Sequence, residues 1–172
     1  MNVNLSSIEF DAETQPRVRM NLTVVQEYAD AMAAGDEFPP VLLFQEGTTY
    51  WIGDGFHRCQ AARQHGLDAI DAEVRPGTKR DAILASCGAN ADHGVRRTNE
   101  DKQQAVDRLL ADEEWAQWAN TEIARYCDVS HTFVGNRRSI LQPLQDNRLV
   151  KRGDSTYLMN TKRTPCTCWM FA

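Results

Sequence analysis

The segment from Asn120 to Gln142 constrains the fold more tightly than any other stretch of the sequence. Asn120 can cap a helix whose first turn carries Glu122, which puts a carboxylate at the positive end of the helix dipole. Ile123, Ala124 and Cys127 share one face of that helix. Asp128-Val129 then supports a tight turn, and Ser130 can cap a second helix over 131–141. Pro143 blocks its extension, because proline has no N–H and disfavours helix in the residue before it. Small Ala124 sits where two helices would cross, the turn follows directly, and Val134 comes half a motif later. That size and order is a helix-turn-helix. Such a pair cannot bury its own apolar faces, so the chain around it must supply a helical layer.

At ~100° per residue along the second helix, Phe133, Val134, Ile140 and Leu141 fall on one side. His131, Thr132, Gly135, Asn136, Arg138 and Ser139 fall on the other. Short polar groups with an arginine are the inventory that reads base edges and phosphates in a major groove. The expected DNA-contacting set is therefore Ser130, His131, Thr132, Asn136, Arg138 and Ser139, with Arg138 the leading candidate for a base or phosphate. Arg137 lies inside the apolar stripe and must either bury its stem or pair with an acid such as Asp128. The alternative is an ordinary helical hairpin that packs and binds nothing.

Charge separates the two ends of the chain. The net charge is −5. Residues 1–95 hold 7 Lys/Arg and 14 Asp/Glu, a net of −7, whereas residues 125–163 hold 8 and 3, a net of +5. Screening over roughly 10 Å lets the near field of such a basic segment dominate, so phosphate binding stays open despite the overall sign. No apolar run approaches the ~18 residues of a membrane span, and the start lacks a signal-peptide pattern, so a cytoplasmic protein is expected. The five cysteines are odd in number and irregularly spaced, and Cys166-x-Cys168 has no completing ligands. Reduced thiols are expected, without a disulfide framework or a metal site.

The first half alternates strand and helix. Leu22 to Ala34 reads as a helix stopped at Gly35. Pro39-Pro40 forces an extended entry into a strand at 41–44, and a second strand at 49–52 completes a hairpin. After the loop Gly53-Asp54-Gly55 comes a helix from Phe56 to His65, then a strand in which Ile70, Ala72 and Val74 alternate with acids. From Lys79 onward the pattern is helical, with helices at 80–87 and 99–111 and a short aromatic segment containing Trp115 and Trp118. The expected domains are 1–78 (α/β with a small sheet, phosphate-binding), 79–142 (all-α, with the helix-turn-helix at 120–142) and 143–172 (a basic tail). Gly53 and Gly55 let the backbone bend tightly near an anion, and the helix after them offers unpaired N–H groups. His57 and Arg58 add donors there. The alternative is a tight strand-to-helix turn with an incidental arginine.

Gln15-Pro16-Arg17, a helix, a hairpin, the loop Gly53 to Arg58 and a helix beginning Cys59-Gln60-Ala61-Ala62 resemble, in that order, one known domain. It is the N-terminal domain shared by ParB-like partition proteins and sulfiredoxins. The helical half resembles the central domain of the ParB-like group, so the likeness covers about residues 12–142. It implies a nucleotide pocket, since partition proteins of this kind bind and hydrolyse CTP and sulfiredoxins use ATP. Carried over by position, Gly53, Gly55, His57 and Arg58 would hold phosphates, with Gln15 and Arg17 beside them and Asn90 on phosphate or metal-bound water. Two departures stand out. Phe56 occupies the place of the sulfiredoxin cysteine, which argues against sulfinic-acid repair. Ala89 replaces the glutamate before Asn90, which argues against Mg²⁺ positioning, because a hard cation wants a carboxylate. The resemblance thus implies a DNA-binding partition or regulatory protein modulated by a nucleotide, with a homodimer open to it. The competing reading is an enzyme, a nucleoside triphosphatase or nuclease, with His57 and Arg58 as the catalytic candidates.

Overall fold

The computed structural model describes residues 1–11, 14–15, 17–89, 96–142, 147–153 and 155–160. The chain divides into two compact units: Met1–Ala105 with Tyr126–Asp128, and Val106–Arg125 with Val129 onward. The division falls inside a helix, well beyond the composition change near residue 78.

The first unit is built on a five-stranded sheet. Its elements are β1 (Asn2–Asn4), β2 (Ile8–Glu9), α1 (Leu22–Ala34), β3 (Val41–Glu46), β4 (Thr49–Asp54), α2 (Phe56–His65), β5 (Ala69–Pro76) and α3 (Lys79–Gly88). The strand order is β1-β5-β3-β4-β2. β3 and β4 form the antiparallel hairpin read from the sequence, with a register shift at Leu42/Leu43. β5 joins β3 in parallel, and a parallel partner requires a crossover, which α2 supplies. β1 and β2 were not anticipated; they add to opposite edges, antiparallel to β5 and parallel to β4. Val41, Leu43, Ile52, Phe56, Cys59 and Ala72 are buried in a single cluster. Behind them α1 seats Val25 and Ala29 beside Ala61 of α2. The Asn21 side chain accepts from the Thr23 and Val24 N–H groups and so starts α1.

α4 (Asn99–Ala111) runs from the first unit into the second. The second unit then contains a 3-10 turn at Trp115–Gln117, α5 (Asn120–Cys127, its last two residues counted with the first unit), α6 (His131–Leu141), and a hairpin of β6 (Asn147–Arg152) and β7 (Ser155–Asn160). Val106, Leu109, Ile123, Val134 and Val150 are each almost fully buried. Within the segment expected as a basic tail, six consecutive residues pair as a hairpin, Asn147↔Asn160 through Arg152↔Ser155. It is tied to the helices by the Ala119 N–H, which donates to the Lys151 carbonyl at 3.0 Å. Among the described residues no helix is long and apolar enough to cross a membrane.

Candidate functional site

In the first unit a cavity of about 340 Å³ opens among Arg17, Asn21, His57, Arg96, Thr98 and Asp101. Three helices start at its wall. Asn21 caps α1, His57 is the second residue of α2, and Thr98 directly precedes α4. Each N-terminus presents the positive end of a helix dipole, and that of α2 has no side-chain cap on its N–H groups. The lining also carries Arg17, Arg19 and Arg96 against Glu100 and Asp101. One surplus positive charge and three helix N-termini at the wall favour an anion in electrostatic terms.

The wall is held by a buried ion pair. Arg17 Nη1 donates to Asp101 Oδ2 at 3.0 Å, with both side chains only 6% exposed. The same nitrogen donates to the Arg96 carbonyl at 3.1 Å. Asp101 also accepts from the N–H groups of Val18 (3.1 Å) and Thr98 (2.9 Å). Burial alone would raise the Asp101 carboxyl; the Thr98 and Val18 N–H groups and the Arg17 guanidinium outweigh it and hold it below its ordinary value. His57 Nε2 accepts from the Asn21 N–H at 3.3 Å. Burial, then the nearby Arg17, pushes the imidazole below its usual range despite opposing pulls from Asp101 and Asp54. The ring is therefore neutral near pH 7 and carries its proton on Nδ1.

The sequence-derived phosphate set divides on this geometry. Arg17 and His57 line the cavity. Gln15 sits just outside, its Oε1 accepting from the Arg17 N–H at 3.2 Å and so shaping the approach to Arg17. Arg58 is corrected. Its Nη1 donates to the Pro39 carbonyl and, at 3.0 Å, to that of Pro40, while Nη2 pairs with Asp54 at 3.1 Å. The diproline entry to β3 exposes carbonyls that this guanidinium satisfies, so it braces the fold and is absent from the cavity wall. Gly53 and Gly55 pack tightly on β3. A Cβ on Gly55 would lie 2.5 Å from Val41 Cγ1, and one on Gly53 2.8 Å from Phe44 Cε2. Both glycines exist for close packing on β3, and at Gly55 for a φ of 96°. Asn90 lies outside the described residues. The residues not anticipated are Arg19, Asn21, Thr98 and Asp101. One signal was available for the last pair: Thr-x-x-Asp ahead of a helix is a reciprocal cap, and Asp101 N–H does donate to Thr98 Oγ1 at 3.1 Å.

Cys59, Cys87 and Cys127 are buried and form no disulfide. Burial pushes the Cys59 thiol up to about 12, and a hydrogen bond with Cys87 followed by burial raises Cys127. None is a nucleophile at neutral pH.

In the second unit α6 begins as read: Ser130 Oγ accepts from the Phe133 N–H at 3.2 Å. The turn before it bends at Asp128, which has a φ of 47°. His131, Thr132, Asn136 and Ser139 are exposed on α6. Arg138 is corrected. It is only 7% exposed. Its guanidinium donates to the carbonyls of Ala116 (2.6 Å) and Trp118 (3.0 Å) and to Asn120 Oδ1 (2.9 Å) and Gln142 Oε1 (3.0 Å). The irregular backbone at 116–118 has no helix or strand to satisfy those carbonyls, and Arg138 does so instead. The inward direction of α6 therefore lies between Val134 and Arg138, four residues apart, and not between Phe133 and Leu141. Ile140 and Leu141, expected inside, are 68% and 45% exposed. Arg137 pairs with Asp107, which raises its pKa further.

Comparison with known proteins places residues 1–91 in the ParB N-terminal domain family. The transcriptional regulator NovG of Streptomyces niveus is 26% identical over 113 residues, 66% of this chain and 35% of its own length. A probable chromosome-partitioning protein ParB of Coxiella burnetii is 30% identical over 128 residues, 74% of this chain and 43% of its own length. The chain thus spans less than half the length of the curated relatives it matches. Among solved structures, C-terminally truncated ParB of Caulobacter crescentus, complexed to its centromeric parS site, superposes with a TM-score of 0.56 at 16% identity. It covers 85% of this chain and 74% of that one, and shows the shared fold.

Proposed function

The chain belongs to the ParB-like partition protein family, and we propose that it binds double-stranded DNA with the outer face of α6 while the phosphates of a nucleotide occupy the Arg17–His57 cavity. The observation that carries the reading is the exposed run His131, Thr132, Asn136 and Ser139 on a capped helix whose opposite side is buried by Val134 and Arg138. These are short donors and acceptors; Asn136 can address an adenine edge with both of its polar atoms, and the others suit bases or phosphates. The Caulobacter relative holds a centromeric site and NovG is a transcriptional regulator. Duplex sites of centromere or operator type are the corresponding targets here.

The cavity fits a polyphosphate on its own chemistry. Arg96 and Arg19 supply charge at the wall, the α2 N-terminus supplies N–H donors, and neutral His57 offers its Nδ1–H. Arg17 stands ready as a second cation but is shared with Asp101. The nucleotide brings charge and shape to this site, and the chain's residues bind and orient it. A base-specific pocket is not part of the proposal; CTP and ATP are both to be tried.

Titration of the protein with a fluorescent duplex at two salt concentrations, alone and with CTP or ATP, tests the reading. Binding that weakens with salt and falls in Asn136→Ala is expected. A wild-type protein that fails to bind duplex DNA at low salt overturns it.

A further inference from the structure

Arg97 is buried, with a side chain only 4% exposed, and it lies between two residues of the cavity wall, Arg96 and Thr98. Its side chain points the other way. Nη1 donates to the Cys87 carbonyl at the end of α3 (2.6 Å), and Nη2 donates to the Cys127 carbonyl at the end of α5 (2.7 Å) and more weakly to that of Asp128 (3.4 Å). The Asp128 carboxylate stands 3.7 Å away. Two helix C-termini, each with carbonyls that lack an intrahelical partner, are thus joined by one planar fork. The two ends are also close-packed: a Cβ on Gly88 would meet the Tyr126 carbonyl oxygen at 2.6 Å. Asp128 is the left-handed residue of the turn, and Ser130, two positions on, caps α6.

On the cavity side the same strip is gripped by Arg17, which donates to the Arg96 carbonyl, and by Asp101, which accepts from the Thr98 N–H. An anion that drew the Arg17 guanidinium toward itself would release the Arg96 carbonyl and loosen Asp101. The strip 96–98 would then shift, and its central residue would carry the shift to the α3 and α5 ends. We propose that Arg97 is a positioning residue through which an anion in the cavity sets the backbone of the Cys127–Asp128 turn from which α6 starts. This rests on the reading of the cavity as a nucleotide site and of α6 as the DNA-contacting helix. It adds the residue that links them.

The test compares wild type, Arg97→Met and Arg97→Lys in the full chain. CTP and ATP are the probes. Two readouts are taken: hydrogen exchange at the Val129 amide, whose N–H donates to Ala124 O, and duplex affinity with and without nucleotide. In the wild type, nucleotide should change the exchange rate and shift duplex affinity by about fivefold or more. In Arg97→Met both responses should vanish while nucleotide affinity stays within about threefold, a split that a merely structural role does not give. Lysine keeps the charge but lacks the fork that spans two carbonyls, so Arg97→Lys should show less than about half of the wild-type response; this variant decides the matter if the methionine variant does not fold. An undiminished response in either folded variant overturns the role of Arg97 alone. A wild type that binds neither nucleotide nor duplex overturns the functional reading and this inference with it.

Discussion

Arg138 and Asn136 lie two residues apart on α6 and should fail in opposite ways. Arg138→Ala leaves the Ala116 and Trp118 carbonyls without their donor, so it should cost about 2–3 kcal/mol in urea unfolding. Asn136 is exposed. Asn136→Ala should leave stability within about 0.5 kcal/mol and weaken duplex binding by about 1–3 kcal/mol. The cavity wall behaves differently again. Asp101→Asn removes one partner of a buried ion pair and should cost about 3 kcal/mol or more. Two acid limbs follow from the shifted groups. His57 is lowered in the fold, so the unfolded ring takes up a proton first, near pH ~6.5. Its contribution is full above that value and declines as pH falls toward the lower folded value. Asp101 is also lowered; its contribution is present above ~4, the ordinary carboxylate value, and is lost as pH falls through the folded one. Urea-unfolding free energy against pH should therefore step down twice. His57→Gln should remove the upper step and Asp101→Asn the lower; a profile unchanged by either substitution would contradict the assignment.

At the scale of elements, Gly55 is the position where β4, α2 and the β3 entry meet. It combines a φ of 96° with 2.5 Å between a built Cβ and Val41 Cγ1. Gly55→Ala should lower stability by more than about 2 kcal/mol, since both the backbone and the packing resist it. Gly47 has a φ of 63° but open space around it, so Gly47→Ala should cost only about 1 kcal/mol; thermal unfolding of the pair separates packing from conformation. The same contrast explains what could be read before the fold was known. Residues that punctuate locally are legible: Gly35, Pro39-Pro40 and Ser130 mark helix and strand ends through their own chemistry, and the helices and the β3–β4 hairpin follow. β1 and β2 are three and two residues long, too short for an alternation to be read from sequence; they are strands because β5 and β4 offer edges to pair with. The Arg58 motif was legible as a motif, but its partners, the Pro39 and Pro40 carbonyls, are set by the path of the chain. The face of α6 was misjudged for a related reason. An arginine scored as polar was assigned outward, whereas the carbonyls of 116–118 required it inward. The cavity wall gathers residues 17–21, 57 and 96–101, and no local pattern announces that three helix starts will meet.

For the whole molecule, the question is how an acidic chain attracts a polyanion. Screening over a Debye length, roughly 10 Å at moderate salt, weakens the repulsion from the net charge of −5, so only charges that approach phosphates closely can drive association. Residues 125–163 hold eight Lys/Arg. Arg137 is paired with Asp107 and Arg138 is buried on carbonyls, which takes two from the eight and leaves six. Each phosphate neutralised contributes about −0.9 to the slope of log affinity against log salt on duplex DNA. The slope should therefore be no steeper than about −5, and shallower still if Arg125 keeps its bond to Glu122. Substituting Arg138 should shift the line without changing its slope, because a guanidinium that never meets a phosphate releases no counterion. Substituting an exposed cation of β6, Arg152, should flatten the slope by about 1. Duplex affinity measured across a salt series for wild type, Arg138→Met and Arg152→Met decides the matter: a slope that flattens in Arg138→Met and holds in Arg152→Met would mean that α6 meets DNA with the side here described as buried.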